Sequence, residues 1–84
     1  MNVRNQMSAV ELKANHGPIE IVQNPHTGKL FFTCGSIQGV IGTKAKENIN
    51  TVSLSDLNYC EVEIEGNWVG CLMMKSSNNV LRSL

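Results

Sequence analysis

Two closely spaced turns in the segment of residues 19–42, IEIVQNPHTGKLFFTCGSIQGVIG, predict a three-stranded antiparallel meander. The first turn, residues 24–28 (NPHTG), has Pro where a φ of about −65° is required and Gly where φ must become positive. The second turn, residues 35–36 (GS), has Gly at its first central position, which is typical of a type II′ hairpin. Because both turns are short, they set the pairing of the strands as well as their order.

The pairing follows from a simple rule: in a hairpin, the two residue numbers of every facing pair add up to the same total. The first turn sets Val22 opposite Phe31, and the second sets Phe31 opposite Val40. The same registers place Phe32 opposite Gly39. One face of the meander is then continuously apolar and is predicted to line a core, with Ile19, Ile21, Leu30, Phe32, Cys34, Ile37, Gly39 and Ile41.

The other face of the meander carries an apolar row across all three strands, formed by Val22, Phe31 and Val40, which we call the outer row. Half-solvated antiparallel sheets normally alternate an apolar face with a polar one, so this row is expected to be covered. Three kinds of cover are open: the chain's own N-terminal helix or C-terminal strand, a second subunit, or a stacked base or other ligand. The outer row is therefore the strongest indication of a binding surface.

A short helix is predicted on each side of the meander. Residues 8–11 (SAVE) match a capping box, and Gly17 followed by Pro18 is a stop signal. The apolar face of this first helix is predicted to comprise Met7, Val10 and Ala14. Residues 44–49, which follow Thr43, favour a second short helical segment.

A second hairpin is predicted over residues 59–75, where the apolar pattern alternates on both sides of a turn at Gly66-Asn67. This turn sets Val62 opposite Cys71 and Cys60 opposite Met73. Residues 76–79 (SSNN) predict a further turn, and residues 80–84 predict a terminal edge strand. The expected fold class is α+β, a short N-terminal helix packed on an antiparallel sheet of four to six strands. Residues 1–84 form a single domain in which residues 1–7 are expected to be flexible.

The overall composition argues against strong electrostatic partners. The chain has 84 residues, a formal net charge of zero and 17% charged residues, so it has no global field to attract nucleic acid or an anionic membrane. Nothing resembles a signal peptide or the roughly 20 apolar residues of a membrane span. The three cysteines are an odd number, which suits a reducing compartment, and a cytoplasmic location is expected.

The residues that usually carry chemistry lack the spacing of a catalytic, metal or cofactor site. Glu61, Glu63 and Glu65 alternate along one strand without a converging second set of ligands, so they are predicted to be a solvated strand face. His16 and His26 fall in predicted turns and are expected to be exposed. All three cysteines, Cys34, Cys60 and Cys71, are assigned to the core face as unreactive thiols.

The helix sequence ELKA together with the hairpin IEIVQNPHTGKLFFTCG resembles a group of small, uncharacterised single-domain proteins of anaerobic gut bacteria and their mobile elements. The recurring core of that group is NPxTGKLFF, and the resemblance covers residues 8–42. It implies a bacterial cytoplasmic protein or a phage-borne one, and it carries no assigned activity.

These observations lead to two expectations for function. The first is a non-enzymatic interaction module that forms homodimers through the outer row, without cofactors or a membrane. The alternative is a single-stranded nucleic-acid-binding domain, because binding sheets of this kind combine a stacking aromatic side chain with positive groups. The residues assigned to that alternative face are Lys29, Phe31, Thr33, Gln38, Lys44 and Lys46.

Overall fold

The computed structural model describes residues 2–75, which form a six-stranded mixed sheet with two α-helices on one of its faces. The elements in chain order are β1 (Val3–Ser8), α1 (Ala9–His16), β2 (Ile19–Gln23), β3 (Leu30–Cys34), β4 (Ile37–Ile41), α2 (Thr43–Glu47), a 3₁₀ turn (Leu54–Asp56), β5 (Leu57–Ile64) and β6 (Asn67–Met74). The strand order across the sheet is β1-β5-β6-β4-β3-β2. The α+β class is therefore confirmed. The terminal strand predicted over residues 80–84 lies outside the described residues.

The predicted meander is confirmed in its registers. Val22 pairs with Phe31, and Phe31 pairs with Val40. Phe32 pairs with Gly39, also as the turns predict. In the first turn the Asn24 Oδ1 accepts hydrogen bonds from two successive backbone N–H groups, and Gly28 has a φ of 73°. Local turn chemistry thus determines this half of the sheet.

Helix α1 begins where its capping residue predicts, but it presents a different face to the sheet. Ser8 Oγ accepts a hydrogen bond from the Glu11 N–H at 3.1 Å, which satisfies one of the free donors of the first turn. The buried residues are Ala9 and Leu12, whereas Val10 is 51% exposed. The predicted apolar face is therefore wrong for Val10 and Ala14, which are exposed, because the helix packs through its most apolar side chain, Leu12. Met7 packs against the core as predicted, but it does so from β1.

The second hairpin has the predicted strands in a different register. The two-residue loop consists of Glu65 and Gly66, with φ values of 51° and 82°, so that Ile64 pairs with Asn67. These two positive φ values are those of a type I′ turn, which accepts Gly at its second position. Cys60 consequently lies opposite Cys71 and not opposite Met73. The pairing shifts by two residues, so the faces of both strands remain as predicted.

The sheet is mixed because β4 and β6 run parallel, which corrects the prediction of a purely antiparallel sheet. The chain between them crosses over through α2, the 3₁₀ turn and β5, and no local turn signal in the sequence encodes that contact. At the opposite side of the sheet, β1 pairs antiparallel with β5. Most of the segment expected to be flexible, residues 1–7, is therefore an edge strand in the structure.

The two faces of the sheet carry two separate buried clusters. The face covered by α1 and α2, which we call the helix face, holds Ala9, Leu12, Phe32, Cys34, Ala45, Leu57, Tyr59 and Leu72. The opposite face, which we call the outer face, holds a smaller cluster of Cys60, Val62, Cys71 and Met73. The cysteines are thus divided between the faces and do not share one core face as predicted, because Tyr59 and Leu72 are the residues of the second hairpin that pack beneath the helices.

Candidate interaction face

The outer row lies on the outer face, as the hairpin registers predict. Its three side chains are partly exposed: Val22 by 46%, Phe31 by 37% and Val40 by 38%. Paired positions in antiparallel strands share a face, so the three side chains are direct neighbours across β2, β3 and β4. Both helices pack on the helix face through Leu12 and Ala45. Within residues 2–75, therefore, neither helix covers the outer row.

A shallow depression of about 350 Å³ lies along the outer row. The outer-row side chains line it together with Thr33 and Gln38, and its base is formed by Phe32 and Gly39. Thr33 pairs with Gln38, so these two polar side chains lie side by side next to the apolar row. The surface thus combines an apolar strip with adjacent hydrogen-bonding groups, a combination typical of protein contact surfaces.

The apolar strip continues beyond the meander into the second hairpin. Val40 lies beside Cys71 in the parallel pair, and Cys71 lies opposite Cys60. The exposed fraction falls from 38% at Val40 to 8% at Cys71 and 4% at Cys60. The outer face is therefore buried at the centre of β5 and β6, is partly accessible over β2, β3 and β4, and is exposed again at Ile64 beside the second hairpin turn, where the exposed fraction is 51%.

The residues of the nucleic-acid alternative do not all come together. Phe31, Thr33 and Gln38 share the depression, and Lys29 is exposed two residues before Phe31. Lys44 and Lys46 lie on α2, on either side of Ala45, which is buried in the cluster of the helix face. The positive charge of α2 is thus placed on the side of the sheet opposite Phe31.

A polar cluster that the sequence did not predict lies where β1, β5 and β6 meet. Glu61 Oε1 accepts hydrogen bonds from Arg4 Nε and Asn5 Nδ2, both at 2.8 Å. Glu61 Oε2 accepts a third from the Tyr59 hydroxyl at 2.8 Å. The Arg4 guanidinium also stacks on Trp68, with Cζ 4.0 Å from the ring centroid. Glu61 therefore links β5 to β1 through hydrogen bonds. The prediction that its side chain is simply solvated is wrong.

Hydrogen bonds and burial together shift the pKa values of the two ionisable residues at the centre of this cluster, Glu61 and Tyr59. The bond from Arg4, followed by the bond from Tyr59, lowers the pKa of the Glu61 carboxyl below its usual range. Burial, followed by the hydrogen bond to Glu61, raises the pKa of the Tyr59 phenol. Near neutral pH Glu61 is therefore ionised and Tyr59 is protonated, which are the states that the hydrogen bond between them requires. The only sequence signal is the spacing of Tyr59 and Glu61, which puts them on one face of a strand.

The three cysteines are free and buried, so their predicted burial is confirmed, although Cys34 lies on the helix face and the other two on the outer face. Burial raises the pKa of Cys34 and Cys60, and raises that of Cys71 to about 11. Cys34 Sγ also lies 3.1 Å from the carbonyl oxygen of Gly17, which it can reach as a weak donor. At neutral pH all three thiols are protonated and therefore poor nucleophiles.

The two histidines are exposed, as predicted. His26 lies in the first turn of the meander, whereas His16 is the last residue of α1 and not a turn residue as expected. Over residues 2–75, the structure brings together no group of three or more His, Cys, Asp or Glu side chains that could hold a metal ion. In the same part of the chain, neither helix has the length and apolar character needed to cross a membrane.

Comparison with known proteins adds no relative: no protein family model matches the chain, and neither a curated protein nor a solved structure is similar to it.

Proposed function

We propose that this protein is a non-enzymatic interaction module that forms a homodimer through the outer row. The single observation that carries the proposal is the partial exposure of Val22, Phe31 and Val40 in one row, next to the buried cluster of β5 and β6 on the same face. Three adjacent apolar side chains on neighbouring strands lower solubility unless a partner covers them. The proposal includes the bacterial cytoplasmic setting that the resemblance of residues 8–42 implies.

A second copy of the chain is the partner that best fits this surface. The net charge of zero gives two copies little electrostatic reason to repel each other. A two-fold axis lying close to Phe31 would pack each outer row against the other, with Thr33 and Gln38 at the rim of the contact. Phe31 would then lie at the centre of the contact, where aromatic side chains contribute most to binding.

The alternative function, binding of single-stranded nucleic acid, uses the same aromatic side chain. Phe31 offers a stacking surface beside Thr33 and Gln38, and Lys29 is close in sequence. The position of α2 on the opposite face removes two of the three lysines from this site. The geometry therefore supports the homodimer better than the nucleic-acid alternative.

The proposal is tested by comparing the solution mass of the native protein with that of Phe31→Glu by sedimentation equilibrium. At protein concentrations where the native chain is a dimer, Phe31→Glu is expected to be a folded monomer, because it adds a charge to the contact without altering the core. Val10→Glu is the matched control, since Val10 is 51% exposed on the helix side of the sheet. This control should remain a dimer.

Two results would contradict the proposal. Equal masses for the native and Phe31→Glu proteins would show that the outer row is not the contact. Unfolding of Phe31→Glu would show that Phe31 is covered from within its own chain. Circular dichroism of each variant separates these outcomes.

A further inference from the structure

The direction of each backbone group along β2 can be derived from the first turn of the meander. The Asn24 N–H donates to the Lys29 carbonyl oxygen at 2.9 Å, so the amide of Asn24 points toward β3. Amide direction alternates along an antiparallel strand. The N–H and C=O groups that point toward β3 therefore belong to Glu20 and Val22. Those that point away from it belong to Ile19, Ile21 and Gln23.

Strand β2 lies at the edge of the described sheet, so these outward groups form a row that can accept another strand. All five residues of β2 pair with β3 in an uninterrupted register. No Lys, Arg or Pro lies within β2, and Ile21 is 41% exposed. Native proteins usually protect such an edge with a bulge, a charged side chain, most often Lys, or a proline. Of these, β2 has only the carboxylate of Glu20, which lies on the outer face.

The other edge of the described sheet is protected in the usual ways. In β1 the pairing with β5 is interrupted between Arg4 and Met7, and Asn5 has a φ of 55°. A bulge of this kind twists the strand and interrupts the row of free backbone groups. The side chains of Arg4 and Asn5 are also held by Glu61. The difference between the two edges singles out β2 as a strand that is open to pairing.

We propose that β2 pairs antiparallel with β2 of a second copy of the chain, around a two-fold axis at Ile21, and so joins two sheets into one. In this register Ile21 faces Ile21 of the partner subunit, and Ile19 faces Gln23 of the partner subunit. All the outward groups of both strands are then paired, with about six hydrogen bonds. The two partly exposed Ile21 side chains also contact each other on the helix face.

The chain sequence around β2 favours this register over its neighbours. A register centred on Val22 would place Ile19 opposite Pro25 of the partner subunit, which has no N–H to donate. A register centred on Glu20 would place two carboxylates directly opposite each other, which is destabilising. Pairing around Ile21 avoids both the proline and the facing carboxylates. The β2 edge is therefore complementary to itself, which favours a second copy of the chain as its partner.

This contact goes beyond the homodimer proposed above and uses a different surface. The outer-row contact is made by side chains on the outer face, whereas the edge contact is made by backbone groups of β2. We expect the edge contact to form at the higher protein concentration, because it joins only one five-residue strand of each copy. The axis of the edge contact is perpendicular to the sheet and that of the outer-row contact is parallel to it, so the two contacts together give a closed tetramer with 222 symmetry when the axes intersect.

The direct test is amide hydrogen exchange of the native 84-residue chain, measured by NMR at low and high protein concentration. The Ile21 amide is expected to exchange quickly at low concentration and slowly at high concentration, while the Val22 amide stays protected at both. Protection of Ile21 that does not depend on concentration would mean that another segment of the same chain occupies the edge. An Ile21 amide that exchanges quickly at both concentrations would mean that the edge stays free. Either result overturns the inference.

A second test uses the different roles of the backbone groups. Ile21→Pro removes an N–H that points away from β3, so it should block edge pairing while leaving the β2–β3 hydrogen bonds intact. Ile21→Val keeps the N–H and is the matched control. In sedimentation equilibrium, Ile21→Pro is expected to stop at the dimer, whereas Ile21→Val should still form the tetramer at high concentration. If both variants form the tetramer, the β2 edge is not the contact. The step from monomer to dimer, which Phe31→Glu is expected to lose, tests the outer row separately.

Discussion

The ring of Phe32 meets the ring of Tyr59 edge to face, with 6.0 Å between centroids and an interplanar angle of 84°. The contact reaches from β3 to β5 across the two strands between them, and it is possible because Gly39 and Gly70 face each other at the parallel junction of β4 and β6. A Cβ at Gly39 would collide with the Gly70 carbonyl and with the Phe32 ring. Phe32 and Tyr59 therefore join the meander to the second hairpin in the main core.

Phe32→Ala is expected to lower the free energy of unfolding by about 3–5 kcal/mol, because it removes a fully buried ring from the main core. Phe31→Ala is the matched control on the same strand. It should cost less, since Phe31 is 37% exposed. Chemical denaturation followed by circular dichroism measures both losses. A loss below about 1 kcal/mol for Phe32→Ala would contradict the burial and the register described here.

The cysteines are expected to be unreactive in the folded protein. All three are buried, and burial raises the pKa of Cys71 to about 11, so the fraction of thiolate at neutral pH is very small. A thiol reagent should modify none of them quickly in the native protein and all three after denaturation. Rapid labelling of Cys34 or Cys71 in the native protein would support a redox or catalytic role instead.

Stability is expected to fall in acid through Glu61. Its pKa is lowered in the folded protein, mainly by the hydrogen bond from Arg4, so its ionised form contributes stability above the ordinary carboxyl pKa. That contribution is lost as the pH falls through the folded pKa. Glu61→Gln should therefore lower the free energy of unfolding at neutral pH and flatten its decrease in acid. Glu65→Gln, at an exposed turn position, should leave the acid decrease unchanged.

The nucleic-acid alternative makes its own prediction. If Phe31 stacks on single-stranded bases, Phe31→Ala should remove about 1–3 kcal/mol of binding free energy, and affinity should fall steeply with salt. Fluorescence anisotropy with labelled oligonucleotides measures both effects. The absence of detectable binding at low salt would eliminate this function.

Sequence reasoning predicted the meander well because its turns are local. Residues 24–28 and 35–36 each require particular φ values, and those requirements determine the pairing of Phe31 with Val22 and Val40. The outer row followed from the same registers. At the second hairpin, Gly66 can occupy either the first or the second position of a two-residue turn. The sequence pattern predicted the turn Gly66-Asn67, whereas the structure has Glu65-Gly66, so the register differs by two residues.

The remaining features depend on contacts between distant parts of the chain. The parallel pairing of β4 with β6 and the hydrogen bond between Arg4 and Glu61, 57 residues apart, have no local turn that specifies them. The edge position of β2 likewise depends on the strand order of the whole sheet. Turn chemistry and alternation can assign faces, but they do not determine which strand edges meet.

The most direct test of the proposed homodimer is the solution mass of the native 84-residue chain across a range of concentrations. One chain has a mass of 9.2 kDa, and sedimentation equilibrium is expected to give twice that value, with a further doubling at the highest concentrations. A mass of 9.2 kDa at every concentration would contradict the account, because the outer row would then be exposed to solvent without a second copy to cover it.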